Sequence, residues 1–351
     1  MIDSVVYDSF ERLLTDISTP DVIRQIESDA AAQSIWRPLA ESGFADAMVS
    51  EAAGGAGLSL DDAFSLFFLC GRQALPAPLA QTMVVKALLT ANGIDVPDGP
   101  ITISPLAVGN SEDNLGCRNV PFGKLAQWVL VPHGGSPGGS KDVLLPVGEA
   151  EWAETGVHGS LQAHFRWEKP FGNAMVVEQV APWLELAAVI TAAQMAGAMD
   201  AVLNMTVRYA GERTQFGRPI GKFQAVQQQL AVLAELATTS RICVECGCRE
   251  MSASPPNVLA AAVSKARASE AARTVVSIAH AVHAAMGVTE EYDLQIFTRR
   301  LIEWSIDYGS AGYWNRRVGD AVLSKDESNT LEFMLSTFFP AATTGQQTAD
   351  N

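Results

Sequence analysis

Two long stretches of the chain, up to about residue 92 and from about residue 181 onward, carry apolar residues at helical spacing. Near the N-terminus the first apolar face begins with Phe10, Leu13 and Leu14. In the second half, apolar residues recur at steps of three and four at Phe223, Val226, Leu230, Leu233 and Leu236. Because this spacing places one stripe of a helix against a core, both stretches are predicted to be helical.

Prolines and apolar spacing predict where the later helices begin and end. Pro256 separates the helix that begins near Phe223 from another that runs to about residue 285. A final helix is predicted from near Leu294 toward Asp320.

The middle of the chain, from about residue 101 to residue 171, has a different pattern. Short apolar runs, separated by clusters of glycine, proline and serine, occur at residues 101–104, 128–131 and 143–147. Runs of this length between turn-forming residues are typical of β-strands, so this stretch is predicted to be a small β unit. Within it, the glycine-rich segment 134–140 is predicted to be a hairpin loop or a local insertion without a chemical role.

The chain is therefore predicted to be mainly helical, with a small β domain between two helical parts. The change of pattern predicts an N-terminal helical domain at residues 1–97, a middle β domain at 98–172, a C-terminal helical bundle at 173–340 and a flexible polar tail at 341–351. A length of 351 residues, 48% of them hydrophobic, is enough to fill two or three packed units.

Charge and composition exclude several classes of partner. The chain has 24 Lys and Arg against 39 Asp and Glu, a net charge of −15, which repels nucleic acid and anionic membranes. The first residues carry neither a basic segment nor an apolar core of signal-peptide length, so a cytoplasmic location is expected. The most apolar stretch, 184–203, is interrupted by Glu185 and Asp200, which predicts a buried bundle helix rather than a membrane span.

Two groups of metal-ligand residue types are interpreted as structural. Cys243, Cys246 and Cys248 form a C-x-x-C-x-C cluster in a helical stretch, where only the first two share a face. His280 and His283 lie three residues apart on the next predicted helix. Neither group has the further thiol or carboxylate pattern of a metal site, so no metal is predicted.

A polar, glycine-punctuated connector, residues 208–221 (RYAGERTQFGRPIG), lies between two of the predicted helices. Arg208, Arg213 and Arg218 offer planar guanidinium groups that hold phosphate oxygens, and Phe216 offers a flat apolar surface on which a purine stacks. This combination suits a dinucleotide cofactor. From the residues alone, the alternative is a tight turn at 217–221 whose neighbouring arginines are simply solvated.

Three segments of the sequence resemble the acyl-CoA dehydrogenase family. Residues 209–231 (YAGERTQFGRPIGKFQAVQQQLA) resemble the family's Arg-x-x-Phe-Gly segment, residues 284–292 (AAMGVTEEY) its glycine-rich turn, and residues 51–60 (EAAGGAGLSL) its N-terminal glycine turn. These segments span most of the chain in the family's order. The resemblance implies the family's fold, an N-terminal helical domain, a middle β unit and a C-terminal four-helix bundle, and it implies FAD as the cofactor.

The resemblance also implies which residues contact FAD. Arg213 and Phe216 match residues that, in the family, grip the pyrophosphate and stack near the adenine of a FAD bound mainly to the neighbouring subunit. The other cofactor-binding positions that it implies are Gln215, Gly217, Gln224, His283, Gly287 and Ser310. The chain departs from the family at Ala281 and Ala285, which replace the glutamine and the second glycine of a Gln-x-x-Gly-Gly turn.

The family's chemistry also requires a carboxylate base. This base removes the α-proton of an acyl-CoA, while the β-hydrogen passes to the flavin as hydride. The commonest position for this base, a glutamate, is occupied here by Tyr308, and a tyrosine is a poor base near neutrality. A second family position, on the helix before the Arg-x-x-Phe-Gly segment, falls near Ala187 or Ala193. The nearest carboxylates, Asp307 and Glu185, are the candidate catalytic residues, and each is also interpretable as an ordinary structural acid.

These features leave open two hypotheses of different kinds. In the first, the chain is an FAD-dependent acyl-CoA dehydrogenase with an unusual base, active as a homo-oligomer on an acyl-CoA substrate. In the second, it is a non-catalytic subunit that completes the FAD site of a heteromeric acyl-CoA dehydrogenase whose base comes from a related chain. Flavin-dependent oxygenation is a third possibility, which no residue specifically favours. By resemblance, an electron-transfer flavoprotein is expected to reoxidise the flavin.

Overall fold

The computed structural model describes residues 3–29, 33–105, 114–132, 141–169, 171–178, 180–253, 256–324 and 329–338. The predicted loop at 134–140 and the predicted tail at 341–351 lie outside these residues.

The N-terminal part is helical, as the apolar spacing predicted. Its helices are α1 (Ser4–Ile17), α2 (Pro20–Asp29), α3 (Gln33–Glu41), α4 (Leu60–Arg72) and α5 (Leu79–Ala91). Helix α4 begins after Ser59, whose side chain accepts a hydrogen bond from the backbone N–H of Asp62. This bond satisfies one of the amides that a helix start leaves unpaired.

The middle part contains two small sheets. Its strands are β1 (Ile101–Ile103), β2 (Asn114–Val120), β3 (Trp128–Val131), β4 (Lys141–Pro146), β5 (Glu151–Glu154), β6 (Ala163–Glu168) and β7 (Met175–Glu178). One sheet has the order β1-β3-β4-β7 and the other the order β2-β6-β5, and only the pair β1 and β3 is parallel. The three apolar runs of the sequence correspond to β1, β3 and β4. Strand β7 pairs with β4 although it lies after residue 172, where the middle domain was predicted to end. The domain boundaries remain a prediction.

The C-terminal part returns to long helices. They are α6 (Trp183–Glu212), the hairpin strands β8 (Thr214–Gln215) and β9 (Arg218–Pro219), α7 (Gln224–Met251), α8 (Val258–His283), α9 (Leu294–Trp304), α10 (Ala311–Ser324) and α11 (Thr330–Phe338). The prediction of one final helix from Leu294 toward Asp320 is wrong. The chain turns between α9 and α10 because Tyr308 and Gly309 have φ angles of 52° and 104°, outside the right-handed helical region.

Helices α4 and α6 pack with their backbones in direct contact. A methyl group added at Gly71 of α4 would lie 1.8 Å from the backbone oxygen of Gln194, and one added at Gly197 of α6 would lie 1.9 Å from the oxygen of Phe68. Helix α6 is long and apolar enough to cross a membrane, but 83% of its most apolar window is buried inside the protein. It is the central helix of the bundle, as its composition predicted.

Hydrogen bonds between distant parts of the chain hold the β unit against the helical bundle. The indole N–H of Trp183 in α6 donates to Asp142 of β4, and the guanidinium of Arg299 in α9 donates to the backbone oxygen of His158 at 3.0 Å. The turn between α9 and α10 makes two more such contacts, through Asp307 and Tyr308. This junction between the β unit and α8 and α9 is where the main cavity lies.

Candidate functional site

The cavity at the junction has a volume of about 560 Å³ and mostly apolar walls. The β unit contributes Pro121 and Phe122, and the helices contribute Val276 and Ile302. The polar side chains that line it are Ser160, Gln162, His280, Thr298, Arg299 and Glu303, among others. Apolar walls with a few fixed polar groups are typical of a site for a small organic molecule or a cofactor.

His280 of α8 lines this cavity, and its ring nitrogen Nδ1 is buried beside Gly287. Its Nε2 lies 3.0 Å from the hydroxyl of Thr298, whereas its buried Nδ1 has no hydrogen-bond partner among the described residues. Burial lowers the pKa of His280, so the ring is neutral at neutral pH. A buried nitrogen without a partner costs free energy, and a bound ligand or water removes that cost.

Behind the cavity wall lies a buried charged cluster that links the bundle to the β unit. The amide nitrogen of Gln162 donates to Oδ1 of Asp307 at 2.7 Å, and Oδ2 of Asp307 has no hydrogen-bond partner in the described part of the chain. Burial raises the pKa of Asp307, and the nearby carboxyl of Glu303 raises it further, while the ammonium of Lys265 opposes both. Burial also raises the pKa of Glu303.

Tyr308, at the position where the resemblance places a glutamate base, is only 3% exposed and points into the protein. Its hydroxyl donates to the backbone oxygen of Ile103 in β1 at 2.6 Å. Burial raises the pKa of Tyr308 well above its usual value of about 10. The side chain therefore stays protonated at neutral pH and serves as a hydrogen-bond donor between the bundle and the β unit.

Glu185 has a structural partner. Its carboxylate lies 2.7 Å from the guanidinium of Arg317, which ties the start of α6 to α10. The two neighbouring positions at which a base was considered, Ala187 and Ala193, are fully buried in the core. Neither Glu185 nor Asp307 lines the cavity, and the structure does not bring the two together.

The segment that first pointed to a dinucleotide forms a hairpin at the surface. Phe216 and Gly217 make its tight turn, with φ angles of 52° and 79°, and Phe216 is 93% exposed. Arg213 and Gln215 on the hairpin are also exposed, as is Gln224 at the start of α7. The guanidinium of Arg218 lies over the ring of Phe223, 4.3 Å from its centroid.

This hairpin is locally basic in an acidic protein. Among the residues that the structure describes, Arg208, Arg213 and Arg218 have no carboxylate partner within ion-pair distance. Unpaired guanidinium groups beside an exposed aromatic ring are suited to hold the phosphates and the base of a nucleotide.

The remaining predicted cofactor residues lie in different surroundings. His283 is fully buried: Nδ1 lies 2.8 Å from the backbone oxygen of Ala279, Nε2 lies 3.2 Å from the hydroxyl of Tyr292, and the ring stacks on Tyr209. Gly287 is buried against His283, and Ser310 is exposed at the start of α10. Their contact with a cofactor remains a prediction.

The cysteines of α7 differ in exposure. Cys248 is buried, and Cys243 and Cys246 are half-buried. Burial raises the pKa of the Cys243 and Cys248 thiols. The described residues include no group of three His, Cys, Asp or Glu side chains able to hold a metal ion.

Sequence reasoning singled out Asp307 of the cluster and His280 of the cavity, but it missed most of the other residues. Ser160 and Gln162 come from the segment before β6, which has no recognisable motif, and they meet α9 only in the folded chain. One signal was present: Lys265 has alanine four and three residues before it and three residues after it, at Ala261, Ala262 and Ala268, so it lies on an apolar face of its helix. A charge at such a position, where burial requires a partner, could have predicted the cluster.

Comparison with known proteins agrees with the fold. Residues 179–313 match the family model described as acyl-CoA dehydrogenase, C-terminal domain. The acyl-CoA dehydrogenase IpdE2 of Mycobacterium tuberculosis is 28% identical over 283 residues, which cover 76% of this chain and 80% of that protein. The chain is therefore similar to acyl-CoA dehydrogenases over most of its length, and its residues 179–313 match their C-terminal domain.

Solved structures of the family have the same architecture. The ChsE4-ChsE5 complex from Mycobacterium tuberculosis superposes with a TM-score of 0.80 at 21% identity, covering 93% of this chain and 99% of the matched one. A variant of the Tcur3481-Tcur3483 steroid acyl-CoA dehydrogenase gives a TM-score of 0.78 at 26% identity, covering 91% of this chain and 97% of the other. The fold is therefore that of the acyl-CoA dehydrogenases, as the sequence predicted.

Proposed function

We propose that this chain is a supporting subunit of a heteromeric, FAD-dependent acyl-CoA dehydrogenase of the cytoplasm. It completes the FAD site, and a related partner chain supplies the carboxylate base. The observation that carries this proposal is the state of the two positions at which the family places a base, the first at Tyr308 and the second near Ala187 or Ala193. Tyr308, Ala187 and Ala193 are all buried in protein, and none is a carboxylate.

Tyr308 does not replace the missing base. A general base must be deprotonated and within reach of the proton that it removes. The hydroxyl of Tyr308 is instead a donor to Ile103, and burial raises its pKa, so both its protonation state and its direction are unsuitable.

The packing of α6 also leaves no room for an acyl chain beside the second base position. Ala193 is fully buried, and its neighbour Gln194 is in backbone contact with Gly71 of α4. An acyl group could reach α6 from this side only if the two helices separated. The substrate's α-carbon is therefore better accommodated in the partner chain.

The residues present fit FAD. The basic hairpin with Arg213 and Phe216 would hold the pyrophosphate and the adenine, and the apolar cavity lined by Gln162 suits a flat heterocycle. When bound, FAD supplies the hydride acceptor of the dehydrogenation. This chain's own contribution is to bind and orient the cofactor and to exclude water around it.

A partner chain is supported by the surface of the hairpin and by the relatives. Phe216 contacts little of its own chain, so a cofactor or a second subunit is needed to cover it. Two of the similar solved structures, ChsE4-ChsE5 and Tcur3481-Tcur3483, are named as pairs of proteins. We propose an acyl-CoA thioester as the substrate class of the assembly and an electron-transfer flavoprotein as its electron acceptor.

A self-contained dehydrogenase is the second candidate, and one observation favours it. Asp307 is buried, has an unpartnered oxygen and has a raised pKa, which are the properties of a carboxyl group prepared for proton transfer. Its side chain lies behind Gln162 rather than in the cavity, which favours the supporting role.

The visible absorption spectrum distinguishes the two candidates. The recombinant chain alone is compared with the assembly isolated from its native cells through a tag on this chain, each before and after anaerobic addition of acyl-CoA esters. The supporting role predicts a colourless lone chain and an assembly whose flavin band is bleached by an ester. A yellow lone chain that is bleached by an ester, and that loses this response in Asp307→Asn, would establish the self-contained enzyme.

The hairpin is tested with a matched pair of surface variants. Phe216→Ala is expected to lower the flavin content of the assembly, while Leu323→Ala, at another highly exposed apolar residue, leaves it unchanged. The free energy of unfolding of both variants should lie within about 0.5 kcal/mol of the wild-type value, because exposed side chains contribute little to stability. Equal flavin content in the two variants would exclude a role for the hairpin.

A further inference from the structure

We propose that Asp307 is a positioning residue: by accepting the hydrogen bond of Gln162, it fixes that side-chain amide with its oxygen toward the cavity. The cavity then presents a hydrogen-bond acceptor and selects a ligand edge that carries an N–H or O–H donor. Lys265, Asp307 and Gln162 come from α8, from the turn after α9 and from the segment just before β6, so the amide is oriented by the bundle and not by its own strand.

The first step concerns the charge of Lys265. This side chain is fully buried, and its Nζ donates to the hydroxyl of Ser269 at 2.9 Å and to the backbone oxygens of Trp304 and Gly309 at 2.8 and 3.2 Å. Three acceptors around one nitrogen match the three N–H donors of an ammonium group. Although burial lowers the pKa of Lys265 to about 7, this geometry favours the charged form.

The second step concerns its counter-ion. A buried ammonium requires a negative partner, and Asp307 is the carboxyl group whose charge acts on Lys265. Asp307 in turn experiences Lys265, Glu303 and the amide of Gln162 from the surrounding elements. Burial and Glu303 raise its pKa, whereas Lys265 and Gln162 lower it, so loss of either partner shifts Asp307 toward the neutral acid.

The third step concerns Gln162, which lines the cavity and is almost fully buried. A carboxylate accepts hydrogen bonds and cannot donate them, so an ionised Asp307 must face the NH₂ side of the amide, as the 2.7 Å contact has it. The amide oxygen then lies on the cavity side of the same planar group. A protonated Asp307 can donate instead, and the amide is free to turn and present its NH₂ to the cavity.

The consequence for binding rests on the proposed function, in which the cavity holds the ring system of FAD. An acceptor at this wall stabilises a ring edge that carries N–H, and losing it leaves that donor unpaired in an apolar site. One lost hydrogen bond of about 1.4 kcal/mol corresponds to roughly tenfold weaker binding. Acidification is expected to have the same effect as soon as Asp307 becomes protonated.

The orientation is tested first in the full-length chain without cofactor. Glutamine side chains are labelled with ¹⁵N, and the Gln162 signal is assigned by its absence in Gln162→Met. The wild type should show an amide proton shifted by a charged hydrogen bond and protected from exchange, and this signal should change as the pH is lowered through the titration of Asp307. Asp307→Asn and Lys265→Met should each remove the shift of the Gln162 amide proton. The control Asp293→Asn, at a surface partner of Arg24, should leave this shift unchanged.

A Gln162 signal that is the same in the wild type and in Asp307→Asn, or that does not respond to pH, would overturn the proposal. If the variants unfold, the wild-type pH titration alone decides the outcome. The second measurement is the affinity of the isolated assembly for FAD, which Asp307→Asn should weaken about tenfold. Unchanged affinity would refute the acceptor role. If neither the wild-type nor the variant assembly binds FAD but the Gln162 signals are as expected, the proposed function is refuted. The proposed orientation of the Gln162 amide is then still supported.

Discussion

Replacing Tyr308 by phenylalanine tests whether the hydrogen bond of its hydroxyl to β1 stabilises the fold. The hydroxyl is buried, and its removal leaves the backbone oxygen of Ile103 without that donor. A buried acceptor deprived of its donor costs about 1–3 kcal/mol, so the free energy of unfolding of Tyr308→Phe should fall by that amount. Tyr313→Phe, at a tyrosine that is 43% exposed, is the matched control and should stay within about 0.5 kcal/mol of the wild type.

Tyr308→Glu carries the same reasoning to function, because it restores the side chain that the family uses as its base. The new carboxyl group is buried, which raises its pKa above the unfolded value of about 4.3. The folded protein then binds a proton that the unfolded chain releases, so the destabilisation grows as the pH rises above about 4.3. The lone chain should gain no dehydrogenase activity, because this position is buried against Ile103 of β1 and does not line the cavity.

Urea unfolding followed by tryptophan fluorescence at pH 5 and pH 8 measures both variants, and the chain's 7 tryptophans provide the signal. Activity of the Tyr308→Glu chain is measured by bleaching of added FAD with acyl-CoA esters. The structural reasoning is refuted if Tyr308→Phe is as stable as the wild type, or if Tyr308→Glu alone oxidises an ester.

Three further predictions follow from other contacts. Gly197→Ala should lower stability by at least about 1–3 kcal/mol, because its methyl group meets the backbone of α4, whereas Gly211→Ala, with nothing within 4 Å, should be neutral or slightly stabilising; thermal melting compares the two. Glu185→Gln should cost about 1 kcal/mol in urea unfolding, since its partner Arg317 is partly exposed, and should leave turnover of the assembly unchanged. Because burial lowers the pKa of His283 below about 6.5, the unfolded chain binds its proton first; wild-type stability should therefore fall as the pH drops below that value, and His283→Gln should reduce this slope.

The sequence predicted those parts of the fold that depend on local spacing. Helices α6, α7 and α8 have long apolar stripes, and the apolar runs of β1, β3 and β4 lie between turn-forming residues. The other strands were missed because their patterns are weak: β5 is exposed along its whole length, and β2 mixes polar and apolar residues. The break between α9 and α10 was missed because Asp307-Tyr308 has no proline before it and depends on tertiary contacts.

The candidate site was predictable only in its exposed half. The hairpin with Arg213 and Phe216 is contiguous in sequence, so its chemistry could be read from one segment. The cavity is assembled from residues that are more than a hundred positions apart, such as Gln162 and Glu303, and no local pattern relates them. The direction of Tyr308 also depends on β1, which the sequence could not place opposite the turn.

The contact between α4 and α6 limits which substitutions can change the packing of this chain. At Gly71 and Gly197 the two helices contact each other through their backbones. No side chain at these two positions can therefore be shortened by substitution. A glutamate at Tyr308, which lies in another part of the bundle, would leave the two helices in contact. The distance between α4 and α6 is thus set by the main chain, and side-chain substitutions elsewhere in the bundle do not change it.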